Sequence, residues 1–246
     1  MLTRLCGLLL ACLSLAAPGF AATSCPSNPP STLRLPHAQA ALTHRQELLI
    51  VAMGSSSTEG AMASSLGHSY PAQLQGMLSA EVPQGHVAVI NRGIGGQDAG
   101  RESDRLDADV IAIRPQVVIW QVGANGALQA DSLSQFRDLV SAGVRKLQAA
   151  GVDVVLMDNQ RSPRILASGQ DANFNQALAD ISHETGASVF SRDRLMASWA
   201  EEGAPTAEFI ATDGLHQNDQ GYHCVARALA DEIAAAISPR SLSASR

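Results

Sequence analysis

Five short apolar runs recur along the chain: "LLIVAM", "HVAVIN", "QVVIWQVG", "VDVVLMD" and "ASVF". A continuous apolar run too short for a buried helix is what a strand covered on both faces looks like. Helical patterns separate the runs. "SYPAQLQGML" reads as a helix start, with Ser69 as the N-cap and Pro71 in the first turn. "DAGRESDRLDADVIAI" reads as helical throughout. "DSLSQFRDLVSAGVRKLQAAG" places Leu133, Phe136, Val140, Val144 and Leu147 on one face, and Gly151 stops it. "DANFNQALADISHETG" is a further helix, and the last one, after "QND", lines up Val225, Leu229, Ile233 and Ile237. Strands alternating with amphipathic helices imply an α/β fold, a five-stranded parallel sheet with helices on both sides. In such sheets the active edge lies at the carboxyl ends of the strands. Three polar loops are therefore expected to open together: Ser55–Ser57 after the first strand, "NRGIGGQD" after the second and "GANG" after the third.

The ends of the chain read differently. Residues 1–22 carry Arg4, an apolar run from Leu5 to Ala17, the break Pro18–Gly19 and small residues at Ala21 and Ala22, the layout of a cleaved secretory signal. Residues 23–45, "TSCPSNPPSTLRLPHAQA" included, are rich in Pro and Ser and read as an arm leading into a domain over 46–238. Residues 239–246 read as a flexible tail. No other apolar run is long enough to span a bilayer. Loss of Arg4 with the signal takes the formal charge of −6 one unit lower, an acidic balance that does not suit nucleic acid as a partner. A periplasmic or secreted location is expected. Cys25 and Cys224 are the cysteines that would remain. An oxidising compartment would allow them to pair, but a free Cys25 with Cys224 packed in a helix fits the sequence as well.

An ester hydrolase needs a hydroxyl nucleophile, a base within hydrogen-bond reach, a group that orients the base, and donors aimed at the oxyanion. "TDGLHQND" supplies Asp213 and His216 three residues apart, a spacing that a turn converts into a carboxylate–imidazole contact. The glycines of "GIGG" can offer backbone N–H groups, and Asn125 a side-chain amide.

These stretches, in this order, resemble the SGNH, or GDSL, hydrolase family. "GSSSTEG" stands where the family has Gly-Asp-Ser, which makes Ser56 the nucleophile rather than Ser55 or Ser57. "NRGIGG" stands at the second block and, aligned on Asn91, implies Gly96 as the oxyanion glycine, ahead of Gly93 and Gly95. "VGANG" stands for the third block and implies Asn125 as the oxyanion amide, beside the backbone N–H of Ser56. "DGLH" stands for the fourth and implies Asp213 and His216 as the rest of a triad. The resemblance implies a three-layer α/β/α sandwich of flavodoxin-like type and a chemistry that needs no metal or cofactor. Three positions depart from the family pattern: Ser55 replaces its Asp, and Ala124 and Gly126 replace a Gly and an Asp of the third block. None of them is the nucleophile, the base or its carboxylate, so the departures bear on substrate more than on activity. The larger α/β-hydrolase family is a poorer match, because its G-x-S-x-G elbow is absent.

Other polar residues are less telling. His37, His44, His68, His86, His183 and His223 lack metal-ligand spacing to Cys or carboxylates. Arg161 and Arg164 follow the fourth strand and could meet an anionic substrate group, or be solvated loop charges. The expected substrate is a small-molecule or glycan-linked ester. Lysophospholipid or thioester hydrolysis, and acyl transfer, would use the same residues. A non-catalytic envelope protein with this fold is the alternative of a different class. The oligomeric state is left open.

Overall fold

The computed structural model describes residues 25–28, 33–44, 47–82 and 86–238, so the expected signal (1–22) and tail (239–246) lie outside the described residues. The elements are α1 (Pro36–Thr43), β1 (Leu48–Gly54), α2 (Ser56–Glu59), α3 (Tyr70–Glu81), β2 (Val87–Gly93), α4 (Ala99–Asp104), α5 (Leu106–Asp109), β3 (Val117–Gln121), α6 (Ala124–Gln129), α7 (Leu133–Ala149), β4 (Asp153–Met157), α8 (Pro163–Ala167), α9 (Asp171–Thr185), β5 (Ser188–Phe190), α10 (Arg192–Glu201) and α11 (Asp219–Ile237). The strands form one sheet in the order β2-β1-β3-β4-β5, with every pairing parallel.

The continuous apolar character of the strands follows from their position between two helical layers. Along β1, Leu48, Ile50 and Ala52 enter one core, while Val51 and Met53 enter the other. On β3, Val117 and Ile119 face the first, Val118 and Trp120 the second. Period-2 alternation still operates, but both faces are dry. The first core is closed by α1, α3, α10 and α11, and the second by α4, α5, α7 and α9. The faces read from the sequence are the buried ones: Phe136, Val140, Val144 and Leu147 on α7, and Val225, Leu229, Ile233 and Ile237 on α11.

The structure corrects four local expectations. Part of the arm belongs to the domain: Leu33, Leu35 and Ala38 enter the first core, and α1 lies within it. Its N-terminus is capped from afar, because Asp153 Oδ2, at the start of β4, accepts the N–H groups of His37 and Ala38 at 2.9 and 3.0 Å. Ser69 occupies the N-cap position of α3 but does not cap; its hydroxyl donates back to the Leu66 carbonyl at 2.8 Å. Residues 98–113 are not one helix but α4, α5 and a 3₁₀ turn at Ile111–Ile113. "GANG" does not remain a loop, since Ala124 opens α6.

Cys25 and Cys224 are joined by a disulfide that ties residues 25–28 to α11. Among the described residues no helix is long and apolar enough to cross a membrane.

Candidate active site

β1 ends at Gly54, and the chain turns at Ser55 into α2, with Ser56 as its first residue. Ser55 and Ser57 are buried, whereas Ser56 is partly exposed. Of the three serines, Ser56 alone is engaged by a base: its Oγ lies 2.7 Å from His216 Nε2. His216 Nδ1 lies 2.5 Å from Asp213 Oδ2. The remaining carboxylate oxygen, Oδ1, accepts the backbone N–H groups of Leu215 and His216, both at 3.0 Å. Burial works to raise the Asp213 carboxyl, but these N–H donors and the imidazole outweigh it and hold the group below the usual carboxylate range. Asp213 is therefore ionised near neutrality and can fix the imidazole with Nδ1 protonated, which leaves Nε2 to accept from the serine hydroxyl.

The Asp213–His216 turn is itself braced. An antiparallel bridge joins Ile210 to Gln217, and the Ala211 N–H donates to the His216 carbonyl at 2.8 Å. From the segment after β4, the Gln160 amide donates to the Leu215 carbonyl at 2.9 Å, and the Arg164 N–H to the Gly214 carbonyl at 3.0 Å. Gln160 is buried.

The turn at Ser55–Ser57 has its own support. Gln121, the last residue of β3 and buried, accepts at Oε1 from the Ser55 N–H (3.1 Å), the Ser55 hydroxyl (3.2 Å) and the Thr58 hydroxyl (3.1 Å). The end of β2 is pressed against α2. A Cβ at Gly93 would lie 2.0 Å from the Glu59 nitrogen, so only glycine fits. Asn91 Nδ2 donates to the Thr58 carbonyl at 2.8 Å across the same contact. Arg105 binds the second loop to the first, with Nη2 on the Gly54 carbonyl (2.9 Å), Nη1 on the Arg92 carbonyl (2.8 Å) and Nε on Gln97 Oε1 (2.6 Å).

The three candidate oxyanion donors come from two loops and from Ser56 itself. Gly96 is exposed, with φ of 76° and open space where a Cβ would stand. Asn125 lies in the first turn of α6, and its Nδ2 donates to the Gln97 carbonyl at 2.7 Å. This bond joins the second and third loops next to Gly96 and uses one of the two amide hydrogens. The geometry thus joins Ser56, His216 and Asp213 directly and links the loops that carry Gly96 and Asn125.

Of the two arginines after β4, Arg161 is committed to Asp193 at 3.0 Å. Arg164 lies along the Asp213–His216 turn, its Cγ 3.8 Å from where a Cβ on Gly214 would stand. His223 faces α3, with Nδ1 2.7 Å from Gln73 Oε1. Gln121, Gln160 and Arg105 were not singled out by sequence reasoning. For Gln121 a signal exists: it is the one polar residue of the run "VVIWQ", at the end that faces the site.

Residues 24–239 match the model of the Non-GDSL lipase-like family. No curated protein matches the chain in sequence. Among solved structures, a two-domain esterase active on acetylated mannans superposes with a TM-score of 0.72 at 22% identity, over 85% of this chain and 55% of that one. The chain therefore spans little more than half the length of that esterase. The acetylxylan esterase Axe2 from Geobacillus stearothermophilus gives 0.64 at 22% identity, over 75% of this chain and 93% of that one. The psychrotrophic esterase EstA from Pseudoalteromonas sp. gives 0.63 at 24% identity, over 76% of this chain and 97% of that one. These likenesses show a shared fold, a parallel sheet between two helical layers.

Proposed function

We propose, from the premise that this chain belongs to the Non-GDSL lipase-like family, that it is an exported serine esterase acting on carboxylic esters. The observation that carries the reading is the hydrogen-bonded chain Ser56 Oγ–His216 Nε2–Asp213, at 2.7 and 2.5 Å. His216 takes the hydroxyl proton as Ser56 Oγ attacks the ester carbonyl carbon. Asp213 stabilises the imidazolium that forms. The backbone N–H groups of Ser56 and Gly96 and the Asn125 amide hold the oxyanion. Collapse of the tetrahedral intermediate expels the alkoxide, which receives the proton from His216. Water, activated by the same imidazole, then releases the acyl group from Ser56. The fold neighbours active on acetylated mannans and xylan suggest that the alcohol portion can be a small or glycan-linked hydroxyl. Export is supported by the amino-terminal pattern and by the disulfide, a bond that persists in oxidising compartments.

Hydrolysis of p-nitrophenyl acetate, butyrate and octanoate, with Ser56→Ala alongside, tests the reading. At least one ester should be turned over, and the variant should lose about 10³-fold or more of that rate. Equal rates in the two proteins would remove Ser56 from the chemistry.

A further inference from the structure

Apolar exposure in this molecule is unevenly placed. All the phenylalanine, tyrosine and tryptophan rings among the described residues are buried: Tyr70, Trp120, Phe136, Phe174, Phe190, Trp199, Phe209 and Tyr222. The large apolar side chains that are exposed are aliphatic: Met62, Leu66, Ile94 and Leu166. Every one of them lies on a segment leaving the carboxyl end of a strand, the edge that carries the triad. Scattered exposed aliphatics are ordinary, but their confinement to one functional edge is not.

The backbone ties the segments that carry these residues to the neighbours of Ser56 and His216. The Ile94 N–H donates to the Gly54 carbonyl at 3.0 Å, two residues before the nucleophile. Leu166 follows Ile165, which packs with Leu215 beside His216. The Ala61 N–H donates to the Ser56 carbonyl at 2.9 Å. The Tyr222 hydroxyl donates to the Ala61 carbonyl at 2.7 Å, and the Ser64 N–H and hydroxyl hold Asp219 at 2.8 and 2.5 Å. Between these anchors Met62 takes φ of 65°, a left-handed conformation unfavourable for any side chain with a Cβ, while 48% exposed. Leu66, 81% exposed, follows in the same loop. Anchors on both sides hold an apolar side chain in water in an unfavourable backbone state, on the loop that follows Ser56.

We infer that Met62 and Leu66, with Ile94 and Leu166 on the segments that follow β2 and β4, form an aliphatic lip that receives the alkyl chain of the substrate's acyl group, so that acyl chains of four or more carbons are preferred to acetyl. Aliphatic side chains, with every Phe, Tyr and Trp ring among the described residues buried, suit a flexible alkyl chain better than the flat face of a sugar. This inference rests on the esterase reading, and it would set the chain apart from the acetyl-glycan esterases whose fold it shares.

The test compares kcat/KM for p-nitrophenyl acetate, butyrate and octanoate in the wild type and in a Met62→Gly, Leu66→Ser double variant. Glycine accepts the left-handed backbone freely, and position 66 is open to solvent, so the variant should melt no lower than the wild type. The wild type should favour the longer chains. The octanoate-to-acetate ratio should fall about tenfold in the variant, the scale of losing contact with one or two methylenes. Titration of octanoate and acetate into Ser56→Ala protein reads the same lip without turnover, and octanoate should bind more tightly. If no ester is hydrolysed but octanoate still binds better, and the double substitution abolishes this, the lip stands and the esterase reading falls. A wild type that prefers acetate, or an octanoate-to-acetate ratio unmoved by the variant, overturns the lip. A self-association lost in the variant without change in chain-length preference would overturn it too, by giving the face to a second copy of the chain.

Discussion

Ser56 differs from Ser55 and Ser57 because Gln121 and the turn bury its neighbours and leave it facing His216. Gln121 is a positioning residue in this account: it touches the nucleophile turn rather than any reacting atom. Gln121→Leu should lower kcat by about 10²-fold with KM little changed, because a displacement of about 1 Å at the nucleophile costs that much. Gln121→Glu keeps the accepting oxygen and should recover most of the loss. Equal loss in both variants would mean that the site is merely sensitive to any change there. Asn125→Ala should cost about 10²–10³ in turnover if its amide meets the oxyanion, and full activity would remove it from the mechanism. At this scale the residues that meet in the Ser56–His216–Asp213 hydrogen-bond chain are readable from sequence, because the resemblance of the ordered motifs to the SGNH family and the strand-end rule point to them. Gln160 and Arg105 were not, since each braces a catalytic loop distant in sequence, and only packing brings them there.

The elements were legible where their periodicity is strong. The strands and the long helices α7, α9 and α11 answer to it. The helix α1 did not show, because Pro and Ser dominate the surrounding composition and its capping carboxylate, Asp153, lies over a hundred residues away. α4 and α5 were merged because their sequence carries no glycine or proline at the break. The contact between β2 and α2 gives a direct prediction: Gly93→Ala forces a Cβ against the Glu59 backbone and should shift α2. Activity should drop at least tenfold with a measurable loss of thermal stability; unchanged kinetics would show that α2 tolerates the shift. Beyond β4 and β5, Asp158 is buried with its carboxylate accepting from the Ser191 hydroxyl and the Asp193 N–H, and burial pushes its carboxyl up to about 6. Between the ordinary carboxylate range and pH 6 the unfolded chain has released this proton while the folded chain keeps it. Stability should therefore fall as pH rises through that window, by on the order of 1 kcal/mol per unit, and level off above it. Asp158→Asn should flatten this slope in denaturant titrations at pH 4–7, and an unaltered slope would place its origin elsewhere.

At the scale of the whole molecule, a parallel sheet brings loops from distant parts of the chain to one edge, and the disulfide ties residues near its two ends together. Cys25 and Cys224 are separated by 199 residues, so their bond removes much freedom from the unfolded chain. Reduction, or Cys224→Ala, should lower the melting temperature by roughly 10 °C, as expected for a loss of a few kcal/mol in a chain of this length. No shift would mean that packing alone holds α11. The central claim is that this architecture activates one serine among three. Intact-mass spectrometry after exposure to a fluorophosphonate probe tests it most directly, because an unactivated hydroxyl does not react at a useful rate. A single adduct is expected on Ser56, abolished in Ser56→Ala and strongly slowed in His216→Ala. No adduct, or one on Ser55 or Ser57, would contradict it.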